Sequence, residues 1–242
     1  MRFNGVDIKS VHKAISINKE IPPGMPARDL RTVLSARGEI LTDVEHKQAE
    51  YTIKVNIAGR DKLMAWDVRK LLAAWATSSG NKTAILEPTH WPGIAYDAIA
   101  KTIEPPEFVF GFATLKVTFA LLEPVAYELI PSIAKGNRET TMHIGGSWRT
   151  EPQIIFTASA AADGMTLKLD GNRFLKIKGS IAAGDVITAD TKEGGLTING
   201  KHAESRIDYT GTEWRPGFDP GIHKLTASAA GTVEARWSNR WA

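Results

Sequence analysis

The most regular alternation of apolar and polar positions lies in residues 165–201. Met165, Leu167 and Leu169 alternate with Thr166 and Lys168, the period of a strand with one buried face. Asp170-Gly171-Asn172 interrupts with residues that accept the positive φ of a tight hairpin. Phe174, Leu175 and Ile177 make a second run, Val186-Ile187 a third, and Leu196 with Ile198, closed by Asn199-Gly200, a fourth. Ile154 and Phe156 start this sheet, while residues 222–227 and the alternating Val233, Ala235 and Trp237 close it. A loop rich in turn formers, 214–221, precedes them. Short strands with glycine turns at this spacing predict an antiparallel sandwich or barrel.

The first half carries two periods. Tyr51, Ile53, Val55 and Ile57 face one way and Thr52, Lys54 and Asn56 the other, a strand that Gly59 ends. Met64, Val68, Leu71, Leu72 and Trp75 then follow helical spacing, with Asp61 as N-cap and Gly80 as the C′ glycine. One helix among many strands predicts a helix lying across one face of a sheet. Residues 3–8 read as a short strand with an early turn, and 84–86 and 96–103 as further strands. Phe108, Phe110 and Phe112 alternate in one phase and Leu115, Val117, Phe119 and Leu121 in the other, which predicts a bulge or bend near 111–114. The segment 21–39, with three prolines and two glycines, predicts an extended loop, and a loop of that length is expected at an interface. Pro131 and Gly136 mark a linker, giving a domain at 1–131 and another at 132–242.

The 242 residues suffice for one large β domain or two modest ones. No apolar run approaches the roughly 20 residues of a membrane helix, so no membrane partner is expected. The N-terminal residues lack the apolar core of a secretory signal, and the absence of cysteine excludes disulfides and thiolate metal sites. The formal net charge is +3 and the pI about 9.0. Lysine and arginine are interspersed with acids, not gathered into the basic stripe of a nucleic-acid binder. The exception is Arg28, Arg31 and Arg37, in a segment with few acids.

Candidate chemistry is sparse. None of the six histidines pairs at metal-ligand spacing, and no nucleophile elbow, phosphate loop or dinucleotide fingerprint occurs. Asp163-Gly164 and Asp170-Gly171-Asn172 lack the remainder of a calcium loop and read as turns. The sequence therefore predicts no catalytic residue, no metal and no cofactor, and hence no enzyme. Four of the seven tryptophans, Trp148, Trp214, Trp237 and Trp241, fall in the second domain. They suit core packing or a subunit interface, and Trp148 and Trp214 suit the docking of a sugar or a protein.

In order and spacing, several of these pieces resemble the distal tail protein family of long, non-contractile-tailed bacteriophages. The resemblance rests on Phe3-Asn4-Gly5-Val6-Asp7, the 22–37 segment leading into Gly38-Glu39-Ile40-Leu41, and the 51–57 strand before a single helix. It continues through Lys116-Val117-Thr118-Phe119, Glu123-Pro124-Val125-Ala126-Tyr127, Glu151-Pro152-Gln153-Ile154 and Gly184-Asp185-Val186-Ile187. Ile198-Asn199-Gly200, Asp219-Pro220-Gly221-Ile222-His223 and Val233-Glu234-Ala235-Arg236-Trp237 complete it. The resemblance implies a mainly β chain: an N-terminal β domain with one α-helix that forms a hexameric ring, and a C-terminal galectin-like antiparallel β-sandwich. It implies a structural virion protein, the hub joining tail tube to tail-tip and receptor-binding proteins. DNA would pass through the ring without specific binding. The protein would be assembled in the host cytoplasm and reside at the tail tip.

Two departures stand out. His223 occupies a position where the family commonly has Asn, and Asn172-Arg173 stands without the histidine of a galectin's sugar-binding series. Within the implied ring, Arg28, Arg31 and Arg37 are candidates for subunit contacts, where a guanidinium fork suits carboxylates on a neighbour. The alternative function is a carbohydrate-binding module that recognises host cell-wall glycans through the C-terminal tryptophans.

Overall fold

The computed structural model describes the chain apart from residues 24–27, 36–37, 47–48, 60, 81, 110 and 211–216, and between 24 and 48 only its backbone. The chain divides into two compact units, Met1–Ala126 together with Ala242, and Tyr127–Trp241. The fold is mainly β, with antiparallel sheets, as the sequence predicts.

In the first unit β1 (Arg2–Phe3) and β2 (Val6–Asp7) form a miniature hairpin, and a one-turn helix, α1 (Ile8–Val11), follows. Asn4 and Gly5 supply its turn at φ 51° and 77°. Then come β3 (Ile15–Ile21), β4 (Arg28–Ser35), β5 (Gly38–His46), β6 (Glu50–Ala58), α2 (Lys62–Ala76), β7 (Ala84–Glu87), β8 (Ile94–Ile103), β9 (Glu107–Val109), β10 (Phe112–Leu121) and β11 (Ala126–Glu128). The main sheet runs β2-β1-β7-β8-β10-β6-β3, with β9 hydrogen-bonded to β10.

Register explains the core. Tyr51 lies opposite Phe119, Ile53 opposite Val117, Val55 opposite Leu115 and Ile57 opposite Ala113, so one face of β6 and β10 is apolar and buried. The helix α2 covers this face with Ala65, Val68, Leu72, Trp75 and Ala76. Trp75 packs edge-on against Phe3 and Phe119, each ring centroid 5.9 Å away, and its indole N–H donates to the Val6 carbonyl at 2.9 Å. Asp61 caps the helix as predicted, accepting from the Leu63 amide at 2.9 Å. The helix ends at Ala76 with Thr77 as C-cap, so Gly80, at φ 63°, belongs to the following turn and is not the C′ residue. Leu71, expected on the buried stripe, is 46% exposed, because the buried arc is completed by the alanines at 65 and 76.

Two expectations fail on local geometry. Of the bulge or bend expected in 108–121, the structure has neither within one strand but a full reversal: β9 and β10 form a tight hairpin with Phe112 opposite Val109 and Gly111 at φ 83°. The phase change is the reversal of the chain. The segment 21–39 is not an extended loop either. Its prolines, at 22, 23 and 26, all precede Arg28, so the amides of β4 remain able to donate, and β4 pairs with β5 from Arg28 opposite His46 to Ser35 opposite Gly38.

The second unit is a sandwich. Its strands are β12 (Ser132–Asn137), β13 (Glu139–Ile144), β14 (Gln153–Ala158), β15 (Ala162–Leu169), β16 (Asn172–Ile181), β17 (Val186–Asp190), β18 (Gly195–Ile198), β19 (Lys201–His202), β20 (Gly221–Ala227) and β21 (Gly231–Trp237), and β22 (Arg240–Trp241), outside both sandwich sheets, pairs with β11. One sheet has the order β12-β21-β14-β17-β18-β19 and the other β13-β20-β15-β16. Inward residues of both, including Phe156, Leu167, Leu175, Leu225, Val233 and Trp237, form a continuous buried core. The β15–β16 hairpin turns at Asp170-Gly171, with φ 50° and 86°, as the opening alternation predicts. A short 3₁₀ turn, Glu204–Arg206, guards the free edge of β16: Arg206 donates from Nε to the Lys178 carbonyl and from a terminal nitrogen to the Ser180 carbonyl, both at 2.8 Å.

Candidate docking surfaces

The sequence-derived candidates fall in two places. Arg28 and Arg31 lie on β4, at the base of the hairpin, where Arg31 stands opposite Asp43 in the register. Arg37 lies outside the described residues. The strands β4 and β5 make a two-stranded sheet of their own, joined to no other strand among the described residues.

Trp148 lies on the bridge between β13 and β14, half-buried and firmly placed. The Ser147 and Trp148 amides both donate to the Arg240 carbonyl, at 2.9 and 3.1 Å. Gly146, at φ 86°, permits that approach, since a Cβ there would lie 2.1 Å from the same oxygen. Asn239 accepts from the Gly145 amide at 2.8 Å and from the Trp237 indole at 3.1 Å, while its own amide donates to Glu128 at 3.0 Å. Thr150 exchanges backbone hydrogen bonds with Phe218 and donates its hydroxyl to the Ser238 carbonyl. Trp214 lies outside the described residues. Trp237 is core, so it serves packing.

Two polar clusters escape sequence reading. In the first unit Glu20, its side chain 8% exposed, accepts from the Tyr51 hydroxyl at 2.8 Å, from the Thr89 amide and from His90 Nδ1 at 2.6 Å. Burial opposes its charge, but the bonds from His90, Thr89 and Tyr51 together hold its carboxyl below the usual range. Burial, reinforced by Glu20, pushes the Tyr51 phenol far above its ordinary value. The cluster ties the edge strand β3 to the turn between β7 and β8, which are distant in the sheet order.

In the second unit His223 on β20 lies between two acceptors: Asp170 Oδ2, 2.7 Å from Nδ1, and the Asp219 carbonyl, 2.8 Å from Nε2. Burial opposes protonation, yet these bonds and the Asp170 charge raise its pKa, and His223 in turn lowers that of Asp170. Asp219 is also held by Arg149 at 2.9 Å. A imidazole that donates from both nitrogens has no lone pair to serve as a base or a metal ligand. Among the described residues, no three His, Asp or Glu side chains are grouped as a metal site. A shallow polar cavity of about 360 Å³ lies where β15 meets β16, lined by Asp163, Thr166, Lys176, Lys178 and Ser228. Both its lysines are engaged by Asp208, at 3.0 and 3.4 Å. Neither cluster aligns a nucleophile with a base, and both act as fasteners.

Surface composition is more telling. The sheet face opposite the one α2 covers is polar: Lys19, Lys54 and Lys116 are register neighbours across β3, β6 and β10, flanked by Asn56, Thr114, Thr52 and Thr118. The outer side of α2 is not polar throughout, since Leu63 is 75% and Trp66 42% exposed.

Residues 145–241 match the family model of the siphovirus-type tail component, C-terminal domain. The resemblance to phage distal tail proteins is borne out. The matched stretch begins at the glycine that Asn239 holds and runs through the sandwich to Trp241, so it spans the whole Trp148 bridge. Among solved structures, the chain is similar to Dit (gp 19.1) of phage SPP1, described as a paradigm of the hub adsorption apparatus in phages that infect Gram-positive hosts. The two share 12% identity, with 100% of this chain and 98% of that one covered and a TM-score of 0.80. At that identity the likeness establishes the fold over both units. Two structures of the phage P2 baseplate in its activated conformation also match. The one with Ca shows 13% identity, covers 93% of this chain and 90% of that one, and has a TM-score of 0.49; the one with Sr shows 14%, 92%, 90% and 0.47. No curated protein matches the sequence.

Proposed function

We propose that this protein is a structural hub at the distal end of a siphophage tail, with no catalytic role. The observation that carries this reading is the tail-component match over 145–241, joined to a hub-protein fold that extends over the whole chain. In this reading the N-terminal domain, 1–131, closes into a hexameric ring by a head-to-tail contact repeated around the axis. The β4–β5 hairpin, with Arg28 and Arg31, contributes to that contact, and Arg37 is assigned with it. The polar face bearing the Lys19–Lys54–Lys116 row lines the channel through which DNA passes without sequence-specific contact. The C-terminal sandwich faces outward and docks tail-tip or receptor-binding proteins, and the bridge holding Trp148 is its candidate surface, with Trp214 proposed to belong to it.

Size-exclusion chromatography with light scattering tests the ring. A hexamer at micromolar concentration is expected, and deletion of residues 22–36 weakens it. A strict monomer overturns the ring, and an unaffected hexamer removes the hairpin from the contact.

A further inference from the structure

Two Asn-Gly dipeptides occur in the chain, Asn4-Gly5 and Asn199-Gly200, and each turns a short hairpin at the edge of a sheet. The two turns match closely. The first joins β1 to β2, with Phe3 opposite Val6 and Arg2 opposite Asp7. The second joins β18 to β19, with Ile198 opposite Lys201 and Thr197 opposite His202. Both asparagines sit at φ 51°, and their glycines at 77° and 75°. All four residues are exposed, and a Cβ added to either glycine would meet nothing within 4 Å beyond its chain neighbours. Each asparagine donates its backbone amide to a carbonyl of the adjacent strand, Asn4 to Ile85 at 3.0 Å and Asn199 to Val186 at 2.8 Å.

The side chains differ. Asn199 is held at both ends of its carboxamide: Oδ1 accepts from the Val186 amide at 2.9 Å, and Nδ2 donates to Asp185 Oδ1 at 2.8 Å. Asp185 is itself fixed, since its other oxygen accepts from the Ala182 amide at 2.8 Å. Asn4 makes one side-chain bond among the described residues, from Nδ2 to the Ser78 hydroxyl at 3.4 Å, near the long limit for a hydrogen bond. That difference bears on a reaction particular to this dipeptide. The glycine nitrogen, with no side chain beside it, attacks the asparagine Cγ. The new N–C bond closes a succinimide ring, the Cγ–Nδ2 bond breaks, and the amide proton leaves with Nδ2 as ammonia. Water then opens the ring at one carbonyl or the other, giving aspartate or isoaspartate. The left-handed conformation of the turn points the glycine nitrogen away from Cγ, so reaction requires the asparagine to rotate ψ and swing its carboxamide round. That motion breaks two short bonds at Asn199 and one long bond at Asn4.

We infer that Asn4 is a site of spontaneous deamidation through the Gly5 nitrogen, and that the hold on its carboxamide spares Asn199. The consequence at Asn4 reaches the core. Isoaspartate inserts an extra carbon into the main chain between Phe3 and Val6, which neither a two-residue turn nor the β1–β2 register accommodates. Phe3 is fully buried against Trp75 and Phe119, and the Val6 carbonyl accepts the Trp75 indole N–H at 2.9 Å. The isoaspartate form therefore frees β2 from β1 and loosens the packing around Trp75.

The test ages the full chain in mildly alkaline buffer made with heavy-oxygen water and follows both sites by peptide mass spectrometry. Heavy oxygen in the product marks conversion during the incubation and separates it from any earlier. In the folded chain Asn4 is expected to convert about tenfold faster than Asn199 or more, the ratio that about 1.4 kcal/mol of added barrier produces. In strong urea the two sites are expected to convert at similar rates, because the fold and not the dipeptide sets the difference. Equal rates in the folded chain, or faster conversion at Asn199, overturn the inference. A tenfold ratio that persists in urea also overturns it, since sequence alone then explains the preference. Hydrogen exchange on the aged sample reads the consequence: the isoaspartate fraction exchanges faster over residues 3–7 than the unconverted fraction, and equal exchange refutes the loss of the β1–β2 register.

Discussion

The His223 fastener makes a quantitative prediction about pH. His223 lies between the Asp170 carboxylate and the Asp219 carbonyl, and only an imidazolium can donate to both. A hydrogen bond to a charged group contributes about 1.5–3 kcal/mol when shielded, and a solvated pair about 0–1. The His223 side chain is 16% exposed but that of Asp170 is 45% exposed, so the Asp170 arm belongs near the lower range. The whole fastener is therefore worth about 1–2 kcal/mol to the C-terminal unit. Because folding raises the pKa of His223, this contribution is fully present below the unfolded value of about 6.5 and is lost as pH rises through the folded value. The pKa of Asp170 is lowered on folding, so its share is present above about pH 4 and is lost on acidification. The other charged groups nearby are Arg149, paired with Asp219, and Lys224, paired with Glu139.

The assay is urea unfolding of the full chain at pH 6 and pH 8.5, with hydrogen exchange on peptides covering 165–175 and 219–227 to assign the transition. Wild type loses about 1–2 kcal/mol between the two pH values, and His223→Asn loses little, because the amide does not titrate. An equal loss in the variant would refute the fastener.

Three further outcomes are expected. Glu20→Gln replaces three bonds to a carboxylate by weaker neutral ones and destabilises the N-terminal unit by about 1.5–3 kcal/mol, read by calorimetry at neutral pH. Since folding lowers the Glu20 pKa, that difference shrinks as the solution is acidified through the folded value. Gly231→Ala places a Cβ 2.2 Å from the Thr157 carbonyl oxygen and 2.6 Å from the Phe156 ring, and costs about 1–3 kcal/mol by thermal denaturation of the sandwich. Arg206→Ala uncovers the β16 edge and speeds amide exchange along 176–181, without changing exchange in the core strands β14 and β21.

Legibility in the sequence tracked how local the determinant was. The β15–β16 hairpin was legible because Asp170-Gly171 and an alternating run specify turn and face together. The helix was legible from its period and its Asp61 cap, but its buried arc was misjudged by one position, because the alanines at 65 and 76 carry it round to the side of Leu72 away from Leu71. The β4–β5 hairpin was missed because three prolines clustered before Arg28 coloured the reading of the residues that follow them. The β9–β10 reversal was missed because Phe108, Phe110 and Phe112 keep one parity across a tight turn. The Glu20 and His223 clusters join residues 70 and 53 positions apart, and no local pattern announces a pairing that only the folded sheet creates.

The candidate surfaces were legible in a similar measure. The segment bearing Arg28 and Arg31 stood out in the sequence for its composition, whereas the exposed apolar residues of α2 did not. Leu63 and Trp66 lie off the helical stripe that the spacing picks out, and they are 75% and 42% exposed.

The central claim, that this chain is a ring-forming tail hub, is tested most directly by electron microscopy of the purified protein with native mass spectrometry on the same sample. The account predicts six-fold rings with a central channel and a mass of six chains. A uniform population of monomers at micromolar concentration would contradict it.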